Sequence, residues 1–137
     1  MSLVPTGHDM EHGLSDDNRR RYARHLVLPS VGEEGQIKLL ESSVLVVGAG
    51  GLGSPAMMYL AAAGVGRIGI IDDDLVEESN LQRQIIHSTS SIGDSKAKSA
   101  AERISLLNPG INVFPMVDRL TESNALSVIK DLSLIHI

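Results

Sequence analysis

Hydrophobic and polar positions divide the chain into alternating helical and strand-like segments. Ser15 caps a first predicted helix, with Asp16 and Asp17 suited to its positive end. That helix carries Arg19, Arg20, Arg21 and Arg24, packs with Tyr22 and Leu26 at i, i+4, and ends at Pro29. A second, short helix fits Glu33 to Leu40. The pattern then changes: Val44 to Val47 is a continuous β-branched and apolar run, as in a strand buried on both faces. A small-residue helix follows from Ser54 to Ala63, closed by Gly64, and Arg67 to Ile71 is a second buried strand. After a polar segment, Leu75 to Ser91, a helix runs from about Ser95 to Leu107. Asp94 or Ser95 caps it and Asn108-Pro109 stops it. Ile111 to Val117 is a third strand, Thr121 starts a last helix, and Leu132 to Ile137 fits a fourth strand.

Strands alternating with helices imply an α/β fold with a parallel sheet and right-handed crossovers. The expected architecture is the N-terminal nucleotide-binding half of a Rossmann-like doubly wound sheet, preceded by two helices. The expected organisation is a disordered leader over residues 1–14 and one nucleotide-binding domain over 15–137.

Composition narrows the function classes. The 137 residues carry 12 Lys and Arg against 17 Asp and Glu, a net charge of −5. That balance disfavours direct nucleic-acid binding and membrane-surface binding. Only Tyr22, Tyr59 and Phe114 are aromatic, so base-stacking platforms are absent and the core must be aliphatic. Cysteine is missing, which excludes a disulfide scaffold, a thiolate zinc site and a cysteine nucleophile within these residues. No run approaches the roughly 18 apolar residues of a membrane span, and the start lacks a secretory pattern. A soluble cytoplasmic protein is the expectation.

The candidate chemistry begins directly after the first strand. Gly48-x-Gly50-x-x-Gly53, with Gly51 inside it, leaves a strand and opens a helix. One glycine makes the tight turn, one lets backbone approach a phosphate, and one lets helix and strand pack closely. The helix N-terminus offers unpaired N–H groups to an anion. The plain alternative is a glycine-rich structural turn. Asp72 ends the second strand 19 residues after Gly53, where the dinucleotide pattern places an acid for a ribose hydroxyl. Asp73 and Asp74 read as a turn or helix cap, with Asp74 able to support nearby basic groups. To this point NAD, FAD, S-adenosylmethionine and ATP all remain open.

The stretch from Asp72 to Gln84, D-D-D-L-V-E-E-S-N-L-Q-R-Q, favours a triphosphate. It brings Asn80, Arg83 and Gln84 above the sheet, and Lys96 follows at the start of the next helix. A forked guanidinium, two neutral amides and an ammonium suit a charge larger than one helix end can hold. The plain alternatives are a surface ion pair of Arg83 with Glu77 or Glu78, and a solvated Lys96.

The motifs R-Y-A-R-H, V-V-G-A-G-G-L-G, I-D-D-D-L-V-E-E-S-N-L-Q-R-Q, G-D-S-K-A and L-N-P resemble, in order and spacing, the ThiF/HesA/MoeB family. This family is related to the ubiquitin-activating enzymes, and the resemblance covers roughly residues 15 to 131. It looks closest to adenylyltransferases that activate ubiquitin-like sulfur carriers for molybdopterin synthesis, tRNA thiolation or thiamine synthesis. The resemblance implies that Gly48, Gly50, Gly51 and Gly53 form the phosphate loop and that Asp72 is the ribose-binding acid. It implies ATP-phosphate and reaction-centre roles for Asn80, Arg83, Gln84 and Lys96, with Arg83 and Lys96 catalytic. It matches Arg24 to an arginine that reaches into the partner's nucleotide site in a homodimer. His25 stands where a Gln is common, and His87, also within the pattern, reads as structural.

The implied reaction is adenylation of the C-terminal glycine of a carrier ending in Gly-Gly, with ATP and Mg²⁺. The family has a magnesium-binding aspartate at the end of the fourth strand, where this chain has Ile135, His136 and Ile137. No acidic residue follows Asp131. The remaining strands, the carrier-binding surface and any zinc cysteines are expected outside these residues, so the chain is expected to be an incomplete, inactive fragment. Two other classes stay open: a dinucleotide-dependent oxidoreductase domain and a non-catalytic nucleotide-binding or dimerisation module.

Overall fold

A computed structural model describes residues 13–130, 132 and 134–136. Ser43–Val47 (β1), Arg67–Ile71 (β2), Asn112–Met116 (β3) and Leu134–His136 (β4) form a single sheet in the order β3-β2-β1-β4. Every pairing is parallel, with Val44 opposite both Ile68 and Leu134. The chain therefore winds outward from β1 in one direction and then returns to its other side. This is the reversal that opens a ligand crevice at the carboxyl ends of the strands. The α/β expectation and the fourth strand hold.

Gly53–Ala63 (α4) and Lys96–Leu107 (α5) supply the helical layer. Alternate strand positions Val44, Val46, Ile68 and Ile70 meet Met57, Ala61, Ala97, Ala100 and Ile104 in one buried cluster. Small alanines on both helices let the layer sit close to β-branched strand residues, as an aliphatic core requires. Ser95 caps α5 by accepting the Lys98 N–H at 3.4 Å.

The N-terminal region departs from expectation. One helix from Ser15 to Pro29 is instead two, Asp16–Arg21 (α1) and Ala23–Leu26 (α2), with Tyr22 leaving helical geometry at the join. The break coincides with burial of the Tyr22 side chain, whose hydroxyl accepts from Asn108. Residues 1–12 of the expected leader lie outside the described residues. Its last residue, Leu14, is buried, and its N–H donates to Glu33 at 3.4 Å. Gly32–Glu41 (α3) brings Gln36 inside, where it donates to the Ala63 carbonyl at 3.0 Å and accepts from His25 Nδ1 at 2.8 Å. The last helix is shorter than expected, Ala125–Ile129 (α6), because Thr121 to Asn124 form a turn in which Asn124 accepts the Thr121 N–H. No helix among the described residues is long and apolar enough to cross a membrane.

Candidate functional site

The glycine loop leaves the C-terminal end of β1 and enters α4. Gly48 takes φ +96°, a conformation that glycine adopts without a Cβ clash. A Cβ at Gly53 would overlap the Gly48 carbonyl oxygen, so the loop closes on itself only with glycine there. Gly48 donates to the Ile71 carbonyl at 2.9 Å, which extends the sheet ladder into the turn. The Gly50 carbonyl accepts from both the N–H and the hydroxyl of Ser54. Among the described residues, the N–H groups of Gly50, Gly51 and Leu52 have no partner. Free N–H groups at a helix N-terminus, with the carbonyls engaged behind them, form an anion cradle.

The polar segment after β2 is a closed loop. Val76 donates to the Asp94 carbonyl at 2.8 Å and Gly93 donates to the Val76 carbonyl at 2.8 Å. Lys96 donates to the Asp74 carbonyl at 3.0 Å, and Leu75 bridges Ser95. These bonds form a neck that holds the intervening residues as a compact loop. The loop lays Arg83 and Gln84 onto the glycine turn. The Arg83 Cγ and Cδ lie 3.9 Å from where a Gly51 Cβ would be, and Gln84 Nε2 lies 3.7 Å from the same position on Gly50.

Each expected site residue has a distinct environment. Arg83 is exposed, bonds the Ser79 carbonyl at 3.3 Å, and pairs with neither Glu77 nor Glu78. Gln84 is buried, and its Oε1 has no hydrogen-bond partner. A carboxamide can turn either its amino or its carbonyl end to a ligand, so the orphaned atom fits a nucleotide's mixed donors and acceptors. Lys96 is only 8% exposed, so the solvated-lysine alternative does not hold; its Nζ lies 3.8 Å from Asp74 Oδ2. Asn80 is buried and caps its own turn, accepting the Glu77 N–H at 2.9 Å.

Asp72 faces the loop. Its Oδ2 accepts the Ala49 N–H at 2.8 Å and its Oδ1 accepts the Asp74 N–H at 2.8 Å. The acid thus fastens the turn, a connection the sequence reading missed. Asp72, Asp73 and Asp74 also place carboxylate oxygens within 4.8 Å of one another. Arg119 engages Asp73 at 3.2 Å, Lys96 pairs with Asp74, and two backbone N–H groups hold Asp72. Asp72 is thus tied to the turn and Asp73 and Asp74 to cationic side chains, so the cluster is accounted for without assigning it an ion.

Arg24 is not brought to the loop. It is exposed on α2, whose neighbour His25 is tied through Gln36 to Ala63. Ala63 is the far end of α4 from the glycines, about 15 Å along the helix axis.

His87 is buried, as a structural reading expects, and joins three parts of the site. Its Nε2 meets the Ala49 carbonyl at 2.8 Å and its Nδ1 meets the Ser99 hydroxyl at 2.7 Å. Burial lowers its pKa from the ordinary 6.5, and the Lys96 charge adds to that. The Ala49 carbonyl and Asp72 pull the other way.

Residues 22–136 match the ThiF family. The chain belongs to the ThiF family. It is 54% identical over 130 residues to the adenylyltransferase and sulfurtransferase MOCS3 of Arabidopsis thaliana, covering 95% of this chain and 28% of that protein. It is 52% identical over 122 residues to the probable adenylyltransferase/sulfurtransferase MoeZ of Mycobacterium tuberculosis, covering 89% and 31%. Among solved structures, it is similar to E. coli tRNA N6-threonylcarbamoyladenosine dehydratase, TcdA, in complex with AMP. The TM-score is 0.83 at 34% identity, over 88% of this chain and 49% of that one. This ThiF-family chain thus spans less than a third of the length of the two curated relatives.

Proposed function

We propose that this chain is the nucleotide-binding half of an ATP-dependent adenylyltransferase. The substrate is the C-terminal glycine of a ubiquitin-like sulfur carrier ending in Gly-Gly, as in molybdenum-cofactor, tRNA-thiolation or thiamine pathways. The observation that carries the reading is the placement of Arg83 and Gln84 directly over Gly51 and Gly50. A dinucleotide pyrophosphate is held by a helix end alone, whereas a triphosphate calls for added cationic donors. Relatives named adenylyltransferases and a similar structure holding AMP support the same nucleotide.

In this reaction the glycine carboxylate attacks the α-phosphorus of ATP. The new bond is carboxyl oxygen to α-phosphorus, and the bond to the bridging oxygen breaks. Pyrophosphate leaves with the electron pair, and an acyl-adenylate remains. The N–H groups of Gly50, Gly51 and Leu52 hold phosphate oxygens, while Asp72 fixes the turn and offers its remaining lone pairs to the ribose. Arg83 and Lys96 offset charge as it develops on the phosphates, and Asn80 and Gln84 orient them. Arg24, exposed and remote from its own loop, serves the partner's site in a homodimer. The protein works in the cytoplasm.

Carrier-dependent exchange of radiolabelled pyrophosphate into ATP tests this reading. A protein extended to the length of its relatives exchanges pyrophosphate, Arg83→Ala in it abolishes exchange with the fold intact, and the 137-residue chain alone shows none. Unchanged exchange in Arg83→Ala, or exchange by the short chain with a carrier present, contradicts it.

A further inference from the structure

Ala49 sits at the tip of the turn with no exposed surface, and both of its backbone polar groups are held by side chains. Asp72, at the end of β2, takes its N–H at 2.8 Å. His87, from the closed loop, takes its carbonyl at 2.8 Å, and Ser99 on α5 holds the far ring nitrogen at 2.7 Å. The peptide units on either side of Ala49 are therefore held by two side chains distant in sequence, one of them backed by a third.

We propose that His87 is a positioning residue for the phosphate loop: it keeps the Ala49 carbonyl turned inward so that only N–H groups face the anion. The inference rests on the nucleotide reading above for its functional consequence, but the grip itself does not. A backbone anion site works only while its carbonyl dipoles point away, since a carbonyl oxygen turned outward would repel the phosphate it should hold. Two carbonyls of the loop are restrained by side chains. Ser54 holds that of Gly50, and His87 holds that of Ala49.

The geometry also fixes the ring's proton. A carbonyl oxygen can only accept, so Nε2 carries the hydrogen and Nδ1 accepts from the Ser99 hydroxyl. The lowered pKa keeps the ring neutral at pH 7, which agrees with that tautomer. A residue chosen only to fill space would need neither bond.

The test uses the 137-residue chain and three variants. His87→Phe keeps the ring volume and loses both bonds. His87→Gln keeps an N–H donor for the Ala49 carbonyl. Ser99→Ala frees Nδ1 and leaves the ring in place, so it serves even if His87→Phe does not fold. Amide hydrogen exchange at Ala49, whose N–H Asp72 holds, and at Ser54, whose N–H the Gly50 carbonyl holds, reads the grip without nucleotide, and ATP affinity reads its consequence. Nitrogen NMR of the imidazole is expected to show the Nε2–H tautomer. His87→Phe and Ser99→Ala are expected to exchange faster at these amides, by at least tenfold for His87→Phe. The ATP dissociation constant is expected to rise about tenfold in His87→Phe, with most of both effects recovered in His87→Gln. Wild-type exchange rates in both Ser99→Ala and a folded His87→Phe, or an Nδ1–H tautomer, would overturn the proposal. Altered exchange in a chain that never binds ATP would leave the grip standing and overturn the nucleotide reading instead.

Discussion

Asn108 and Tyr22 lie 86 residues apart in sequence and meet in the interior, where the Asn108 amide donates to the Tyr22 hydroxyl at 2.9 Å. The second amide hydrogen goes to the Ala61 carbonyl at 2.8 Å. One side chain after α5 thus pins the N-terminal arm to the C-terminal half of α4. Replacing it with alanine leaves a buried carbonyl and hydroxyl without their donor. Asn108→Ala is expected to destabilise the fold by about 1–3 kcal/mol, read by urea denaturation. A midpoint unchanged from wild type would show that the arm is held by other means.

The glycine turn makes a contrast between two neighbours. A Cβ at Gly53 overlaps the Gly48 carbonyl oxygen, whereas one at Gly51 meets only the flexible Arg83 stem at 3.9 Å. Gly53→Ala is therefore expected to unfold at lower denaturant and to lose ATP binding. Gly51→Ala is expected to unfold within about 0.5 kcal/mol of wild type, as for a substitution that creates no clash. Equal stability losses in the two variants would mean that the turn is not closed as described.

Lys96 separates stability from function. It is a nearly buried ammonium with Asp74 at 3.8 Å, a distance at which the pair recovers little of its desolvation cost. Lys96→Met keeps the volume and removes the charge. Thermal unfolding is expected at or above the wild-type temperature, while the ATP dissociation constant rises more than tenfold. A loss of stability with unchanged affinity would assign Lys96 to the scaffold.

Acid should act through His87. Its folded-state pKa lies below the ordinary 6.5, so the unfolded chain binds a proton first as pH falls. The stabilisation from the neutral, bonded ring is complete above about 6.5 and is lost as pH drops from there through the lower folded value. His87→Gln cannot show this loss, so the stability gap between wild type and variant is expected to narrow on acidification. A gap constant across that window would contradict the sign.

Much of the frame is legible in sequence because its causes are local. Val44 to Val47 announces a buried strand, the glycine spacing announces the turn, and Ser95 announces its helix. The parts that were not legible depend on distant partners. Tyr22 interrupts a good helical pattern while its hydroxyl bonds a residue far along the chain. Gln36 looks like a solvent-facing helix residue until His25 and Ala63 satisfy its amide inside. Asp72 is correctly placed at the strand end, but its bond to Ala49 depends on how the first turn closes. Asn80, Arg83 and Gln84 share one loop in sequence. That two of them reach the glycines and the third caps a turn follows from the neck between Val76 and Gly93.

The central claim is that the glycine turn, with Arg83 and Gln84 over it, is built for ATP. Competition binding to the 137-residue chain, with ATP, NAD and FAD titrated against one fluorescent adenine nucleotide, tests this most directly. ATP is expected to displace the probe with at least tenfold higher affinity than either dinucleotide, and Arg83→Ala to erase that preference. Displacement by NAD or FAD as strong as by ATP would contradict the account.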